Sequence, residues 1–173
     1  MPEKSLILTG FMGSGKSSVG VVLAKRLGSD FIDLDAEIVR AAGRSINEIF
    51  ADEGEAVFRS MESGMLKNVL AAGCANVVAT GGGAVISPEN RSLMRTYGII
   101  INLNVSIEQV MLRIRGCCDR PLLAVDDASE RARTLINQRE QFYADADIRI
   151  DTDGKSVEDV AAEILCRLKE LAA

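Results

Sequence analysis

Residues 10–17 read Gly-Phe-Met-Gly-Ser-Gly-Lys-Ser, the pattern G-x-x-x-x-G-K-[ST] complete in one stretch. The apolar run Ser5-Leu6-Ile7-Leu8-Thr9 precedes it, and Val19, Val22, Leu23 and Leu27 follow at i, i+3, i+4 and i+8. A strand therefore leads into the motif and a helix leads out of it, the context in which such a loop grips phosphate. Glycines let successive backbone N–H groups turn inward around an anion, and the helix N-terminus adds the positive end of its dipole. In that reading Lys16 reaches the β- and γ-phosphates and the Ser17 hydroxyl holds Mg²⁺. The plain alternative is a glycine turn that caps a structural helix. The correct flanking elements favour a site for a nucleoside triphosphate with magnesium.

Strand-like and helix-like segments alternate outward from this loop. Short apolar runs bounded by Gly, Asp or Asn predict strands at 4–9, 30–34, 75–80, 98–103 and 147–151. Helical periodicity predicts helices at 15–27, 35–42, 46–71, 88–96, 106–116, 127–143 and 156–171. Ser45 with Glu48 and Ser156 with Asp159 stand at two helix starts as S-x-x-[DE] caps. The last helix carries Val157, Val160, Ala161, Ile164, Leu165, Leu168 and Leu171 on one face. Such alternation predicts an α/β domain of three layers, α/β/α, around a central five-stranded parallel sheet. Ligands in these sheets bind outside the carboxyl ends of the strands, where the loop at 10–17 lies. Two stretches depart from the alternation. Residues 33–72 hold more helix than one crossover needs. Residues 112–126 combine Arg113, Arg115 and Arg120 with weak periodicity, which predicts a mobile loop.

A length of 173 residues fits one domain with a proper core, and 47% apolar with 26% charged residues is ordinary for a globular protein. The formal charge of −5 argues against nonspecific binding to nucleic acid. Cys74, Cys117, Cys118 and Cys166 show no CxxC spacing, so a reduced, cytoplasmic compartment is the expectation. The N-terminal run leads into the loop and reads as neither a signal peptide nor a membrane span, so no membrane partner is expected. Histidine is absent. That removes Ser-His-Asp and Cys-His nucleophiles and His-based zinc sites. It leaves carboxylates, Arg, Lys, backbone N–H groups and Mg²⁺, the parts that phosphoryl transfer needs.

Further residues form possible sites. Asp33-Leu34-Asp35 ends the second predicted strand, and alternation would put both carboxylates on one side; they read equally as acids at a helix start. Arg59 stands i+4 from Glu55 and i−3 from Glu62, either a solvated ion-pair face or a guanidinium held rigid for an anion. Gly81-Gly82-Gly83 follows the apolar Val77-Val78-Ala79-Thr80, which suits a tight turn or close approach by a ligand. Arg120-Pro121-Leu122-Leu123 offers a loop arginine for transferring phosphates, or a surface arginine. Arg139 falls on the stripe of Ala128, Ala132, Leu135 and Phe142, so it faces inward and needs an anion, from a ligand or from internal carboxylates.

In this order and spacing the residues resemble the shikimate kinases of the P-loop, nucleoside monophosphate kinase-like group. The shared set is G-F-M-G-S-G-K-S at 10–17, D-L-D at 33–35, G-E-x-x-F-R-x-x-E at 54–62, G-G-G at 81–83, R-P-L-L at 120–123, and Arg139 with Tyr143 four residues on. It spans nearly the whole chain. The resemblance implies one domain over 1–173, with 33–72 as substrate-binding region and 112–124 as lid. It implies transfer of the γ-phosphate of ATP to the 3-hydroxyl of shikimate, in the pathway to chorismate and the aromatic amino acids, by a monomer. ATP is then held by Gly13, Ser14, Gly15, Lys16, Ser17, Ser18, Arg113 and Arg120, with Arg113 stacking on adenine and Arg120 closing over the phosphates. Shikimate is held by Asp35, Arg59, Gly81, Gly82, Gly83 and Arg139, the two arginines on its carboxylate and Asp35 as the base. Mg²⁺ is held by Ser17 directly and by Asp33 through water, and Glu62 orients Arg59. The chain departs from the family pattern in Glu140-Gln141-Phe142, where a proline and an aliphatic residue are common, and in the weakly basic Cys117-Cys118-Asp119.

Other readings fit less well. A gluconate or nucleotide kinase of the same group remains the nearest, but a nucleotide acceptor needs arginines for its phosphate plus a base pocket. A GTPase switch needs an N-K-x-D base-reading motif, and none occurs. A noncatalytic scaffold has no use for Asp35, Arg59 and Arg139 together.

Overall fold

The computed structural model describes residues 4–72, 76–114 and 128–172. Among them, strands β1 (Ser5–Thr9), β2 (Phe31–Asp33), β3 (Val77–Ala79), β4 (Gly98–Asn104) and β5 (Ile148–Asp151) form one parallel sheet in the order β2-β3-β1-β4-β5. β1 lies at its centre, with Leu8 opposite Ala79 on one side and Ile101 on the other. From β1 the chain builds β2 and β3 on one side and then crosses to build β4 and β5 on the other. The order therefore reverses beside the carboxyl end of β1, the crevice where open α/β sheets bind ligands.

Helices α1 (Lys16–Leu27), α2 (Leu34–Ala42), α3 (Ile46–Ala71), α4 (Pro88–Tyr97), α5 (Ile107–Ile114), α6 (Ala128–Tyr143) and α7 (Val157–Ala172) cover the sheet. Neighbouring strand residues serve opposite faces. Leu8, Val77, Ile101 and Ile150 pack with Val19 and Leu23 of α1 and with Val160 and Ile164 of α7. Ile7, Val78 and Ile100 pack with Leu66 of α3, Met94 of α4, and Leu135 and Tyr143 of α6. Burial on both faces explains why the strands read as continuous apolar runs, and it confirms the predicted three-layer architecture. Ile38, Ile49 and Phe58 make a smaller cluster between α2 and α3. That cluster holds the extra helices of 33–72 together as an arm beside the main core.

Several boundaries differ from expectation for local reasons. The second strand stops at Asp33 because its carboxylate accepts the N–H groups of Asp35 at 3.1 Å and Ala36 at 3.3 Å, which starts α2 at Leu34. Asp35 is therefore a first-turn helix residue and not a strand residue. The helix at 46–71 is broken at Gly54, whose φ of 83° and ψ of 173° lie outside helical geometry. The final stripe ends early: Leu171 is 56% exposed. Both predicted caps form, Ser45 with Glu48 and Ser156 with Asp159.

Candidate active site

The loop after β1 bends through Gly13 and Gly15, with φ of 78° and 94°, values that a side chain would strain. The ammonium of Lys16 folds back over it and donates to the carbonyls of Gly10 at 2.7 Å and Phe11 at 3.0 Å. Ser17, exposed on the first turn of α1, donates its hydroxyl to Asp33 Oδ2 at 2.5 Å. One carboxylate thus caps α2 and reaches the phosphate loop. A hydroxyl beside a carboxylate is a hard-oxygen donor set, the kind Mg²⁺ takes when it arrives with phosphates. A cavity of ≈ 250 Å³ opens here, lined by Gly13, Lys16, Ser17, Asp33, Asp35 and Gly82 among others. It joins the phosphate loop to residues that the sequence assigns to the acceptor.

On the far side of the loop a second cavity of ≈ 340 Å³ is lined by Ser14, Ser18, Arg113, Thr152, Lys155 and Val157 among others. Arg113 donates to the carbonyls of Gly13 at 2.9 Å and Thr152 at 3.2 Å, which anchors its guanidinium on the cavity wall. Thr152, Lys155 and Val157 escaped the sequence reading. Their signal was Asp151-Thr152-Asp153-Gly154, a turn at the carboxyl end of β5 and so on the same rim of the sheet.

The candidate acceptor side is built on Gly81-Gly82-Gly83, directly after β3. A Cβ on Gly81 would collide with Glu62 and come within 3.1 Å of Asp35; one on Gly83 would collide with the Arg59 guanidinium. Side chains from α2 and α3 therefore close on this backbone, and any Cβ added beneath them would have to displace them. Arg59 Nη1 pairs with Glu62 Oε2 at 2.8 Å and Nη2 with Glu55 Oε1 at 3.1 Å. Glu62 is completely buried, so this is not the solvated ion-pair face that helix spacing alone allowed. Burial pushes the Glu62 carboxyl above the usual range; Arg59 and Arg139 oppose that, and Asp35 adds to it.

Arg139 is 3% exposed, so the sequence placed it correctly on the inner stripe of α6. Its guanidinium lies 5.9 Å from the centre of the Phe11 ring. It is a buried cation in the field of the buried Glu62 carboxylate, beside the phosphate loop, and is suited to an incoming anion. One helical turn on, the Tyr143 hydroxyl donates to the Gly82 carbonyl at 2.5 Å. Burial pushes the Tyr143 phenol up to about 12. Asp35, Arg59, Glu62, Gly81–Gly83 and Arg139 thus converge beside the phosphate loop. Arg120 and most of the predicted lid at 112–124 lie outside the described residues.

A model of the shikimate kinase family matches residues 12–169. The chain belongs to the shikimate kinase family. It is 56% identical over 161 residues to a shikimate kinase of Geobacter metallireducens, covering 93% of this chain and 89% of that one. It is 52% identical to one of Geobacter sulfurreducens, covering 96% and 92%. A shikimate kinase of Acinetobacter baumannii, solved in complex with shikimate, superposes with a TM-score of 0.93 at 37% identity over 97% of this chain and 94% of that one. As a member of the shikimate kinase family the chain is an enzyme that phosphorylates shikimate. Among the described residues no helix is long and apolar enough to cross a membrane.

Proposed function

We propose that this kinase moves the γ-phosphate of ATP to the 3-hydroxyl of shikimate, with the labour divided between the two halves of the site. The observation that carries this reading is the cluster just described: Asp35, two arginines, Arg59 and Arg139, and the buried Glu62 that pairs with Arg59, gathered around a glycine backbone within reach of the phosphate loop. A ring acid with hydroxyls is complementary to that set. Arg59 and Arg139 bind its carboxylate through forked hydrogen bonds. Asp35 orients the 3-hydroxyl and takes its proton as the oxygen attacks the γ-phosphorus; the bond from that phosphorus to the bridging oxygen breaks and ADP leaves. Lys16 turns from the loop carbonyls to the phosphates and stabilises charge on the transferred group. Gly13, Ser14, Gly15 and Ser18 supply the phosphate cradle, and Arg113 with Thr152 bounds the cavity that receives adenine.

Mg²⁺ fits the donors present. Ser17 would hold it directly and Asp33 through water, and the ion would neutralise charge on the β- and γ-phosphates. Both half-sites come from one chain, which supports action as a monomer, and the absence of paired CxxC cysteines supports a cytoplasmic setting.

The test is a coupled assay of ADP release with shikimate, gluconate and AMP offered as acceptors at equal concentration. Shikimate is expected to be the strong acceptor. Faster turnover of gluconate or AMP would overturn the assignment of the two arginines to a ring carboxylate.

A further inference from the structure

The hydroxyl of Tyr143 joins two parts of the acceptor site that come from different elements. It donates to the carbonyl of Gly82 at 2.5 Å, and the Arg139 guanidinium, one turn earlier on α6, acts electrostatically on the same phenol. A phenol offers one donor and an acceptor oxygen, so with its donor spent on Gly82 the oxygen can still face a cation. The ring is 4% exposed and packs in the core with Val85 and Leu135, so the hydroxyl is aimed by packing and not by chance. Gly82 is held from its other side: a Cβ there would lie 3.3 Å from the Met12 nitrogen and 3.4 Å from the Gly10 carbonyl, both in the phosphate loop. Its peptide therefore sits between the phosphate loop and Tyr143.

A trans peptide points its C=O and the next N–H in opposite directions, and the described chain has no cis bonds. Turning the Gly82 carbonyl onto Tyr143 therefore turns the Gly83 N–H away from it. We propose that Tyr143 is a positioning residue for substrate: its hydroxyl fixes the Gly82–Gly83 peptide so that an N–H faces the bound acid, and holds the Arg139 fork in the orientation that meets the carboxylate. This rests on the assignment of Arg139 to the substrate carboxylate. Burial keeps the phenol protonated across the working range, so the donated bond persists.

The test compares Tyr143→Phe with Arg139→Lys. The Phe variant keeps the ring and its packing and removes only the oxygen. KM for shikimate is expected to rise about tenfold, equivalent to about 1.4 kcal/mol, while KM for ATP stays within about twofold and kcat falls less than about fivefold. In amide spectra of the substrate-free enzyme the Gly83 resonance is expected to move while Gly154 stays fixed. If Tyr143→Phe lowers the melting temperature and leaves KM for shikimate unchanged, the hydroxyl is merely structural and the proposal fails. If Tyr143→Phe leaves KM unchanged but Arg139→Lys raises it, the proposal fails and the carboxylate assignment stands. If Arg139→Lys also leaves it unchanged, both fall.

Discussion

The two halves of the site are made of different material. The proposed phosphate half is eight consecutive residues running from the end of a strand into a helix, with backbone N–H groups to offer an anion. The acceptor half draws Asp35 from α2, Arg59 and Glu62 from α3, glycines from the turn after β3, and Arg139 and Tyr143 from α6. The first half solves a problem of local conformation; the second solves one of packing. Their electrostatics differ accordingly. Ser17 and Ser18 are exposed and Lys16 is half-buried, able to swing from the loop carbonyls to a ligand. Glu62 and Arg139 are buried, so the acceptor half fixes its charges before substrate arrives. A fixed site supplies orientation in advance, and a mobile cation can act where charge develops. Damage to the first half should therefore appear in turnover, and damage to the second chiefly in affinity for the acid.

The largest effect is expected at Lys16. Lys16→Met should reduce kcat by roughly 10³-fold, because the lost contact serves the charge developing on the transferred phosphate. Its melting curve should stay near that of the parent enzyme. Turnover within about tenfold of the parent would break the division of labour on the nucleotide side.

Asp35→Asn comes next and probes the joint between the halves. It keeps the shape and removes the anionic acceptor, so kcat should fall by about 10²-fold. Loss of shikimate affinity with kcat preserved would move Asp35 wholly to the binding half.

Gly83→Ala should act on affinity alone. The added methyl meets the guanidinium end of Arg59, which can give way. The protein should fold, with KM for shikimate raised roughly threefold to tenfold, or about 0.7–1.4 kcal/mol. Equal increases in KM for ATP would show that the two halves are not separable there.

The smallest effect is spectroscopic. In a Tyr97→Phe background Tyr143 is the sole tyrosine. Its phenol should ionise near pH 12, against about 10 for a free phenol. The folded value is the raised one, so the stability Tyr143 contributes is complete below pH about 10 and is lost as pH rises towards about 12. A titration midpoint near 10 would mean that the phenol is not held as described.

The same contrast explains what could be read from the sequence. The phosphate loop, the five parallel strands and both serine caps were legible because each is encoded by neighbours in the chain. Arg139 was legible because an arginine on an apolar helical stripe is a local anomaly. Asp35 was singled out but read at the end of a strand, since Asp-Leu-Asp alternates like a strand until the side chain of Asp33 caps a helix. The burial of Glu62 was not legible: spacing from Arg59 gives a pair but not whether water reaches it. Thr152, Lys155 and Val157 were missed because they reach the nucleotide side only through the crossover that sets β5 beside β4.

The central claim is that two fixed arginines read a carboxylate on the acceptor. Arg139→Lys keeps the charge and removes the fork, which an ammonium cannot reproduce. Measured with both substrates, KM for shikimate should rise by about tenfold or more while KM for ATP stays within about threefold, and Arg59→Lys should behave alike. A rise in KM for ATP with shikimate unaffected would assign the arginine to the nucleotide half and contradict the account.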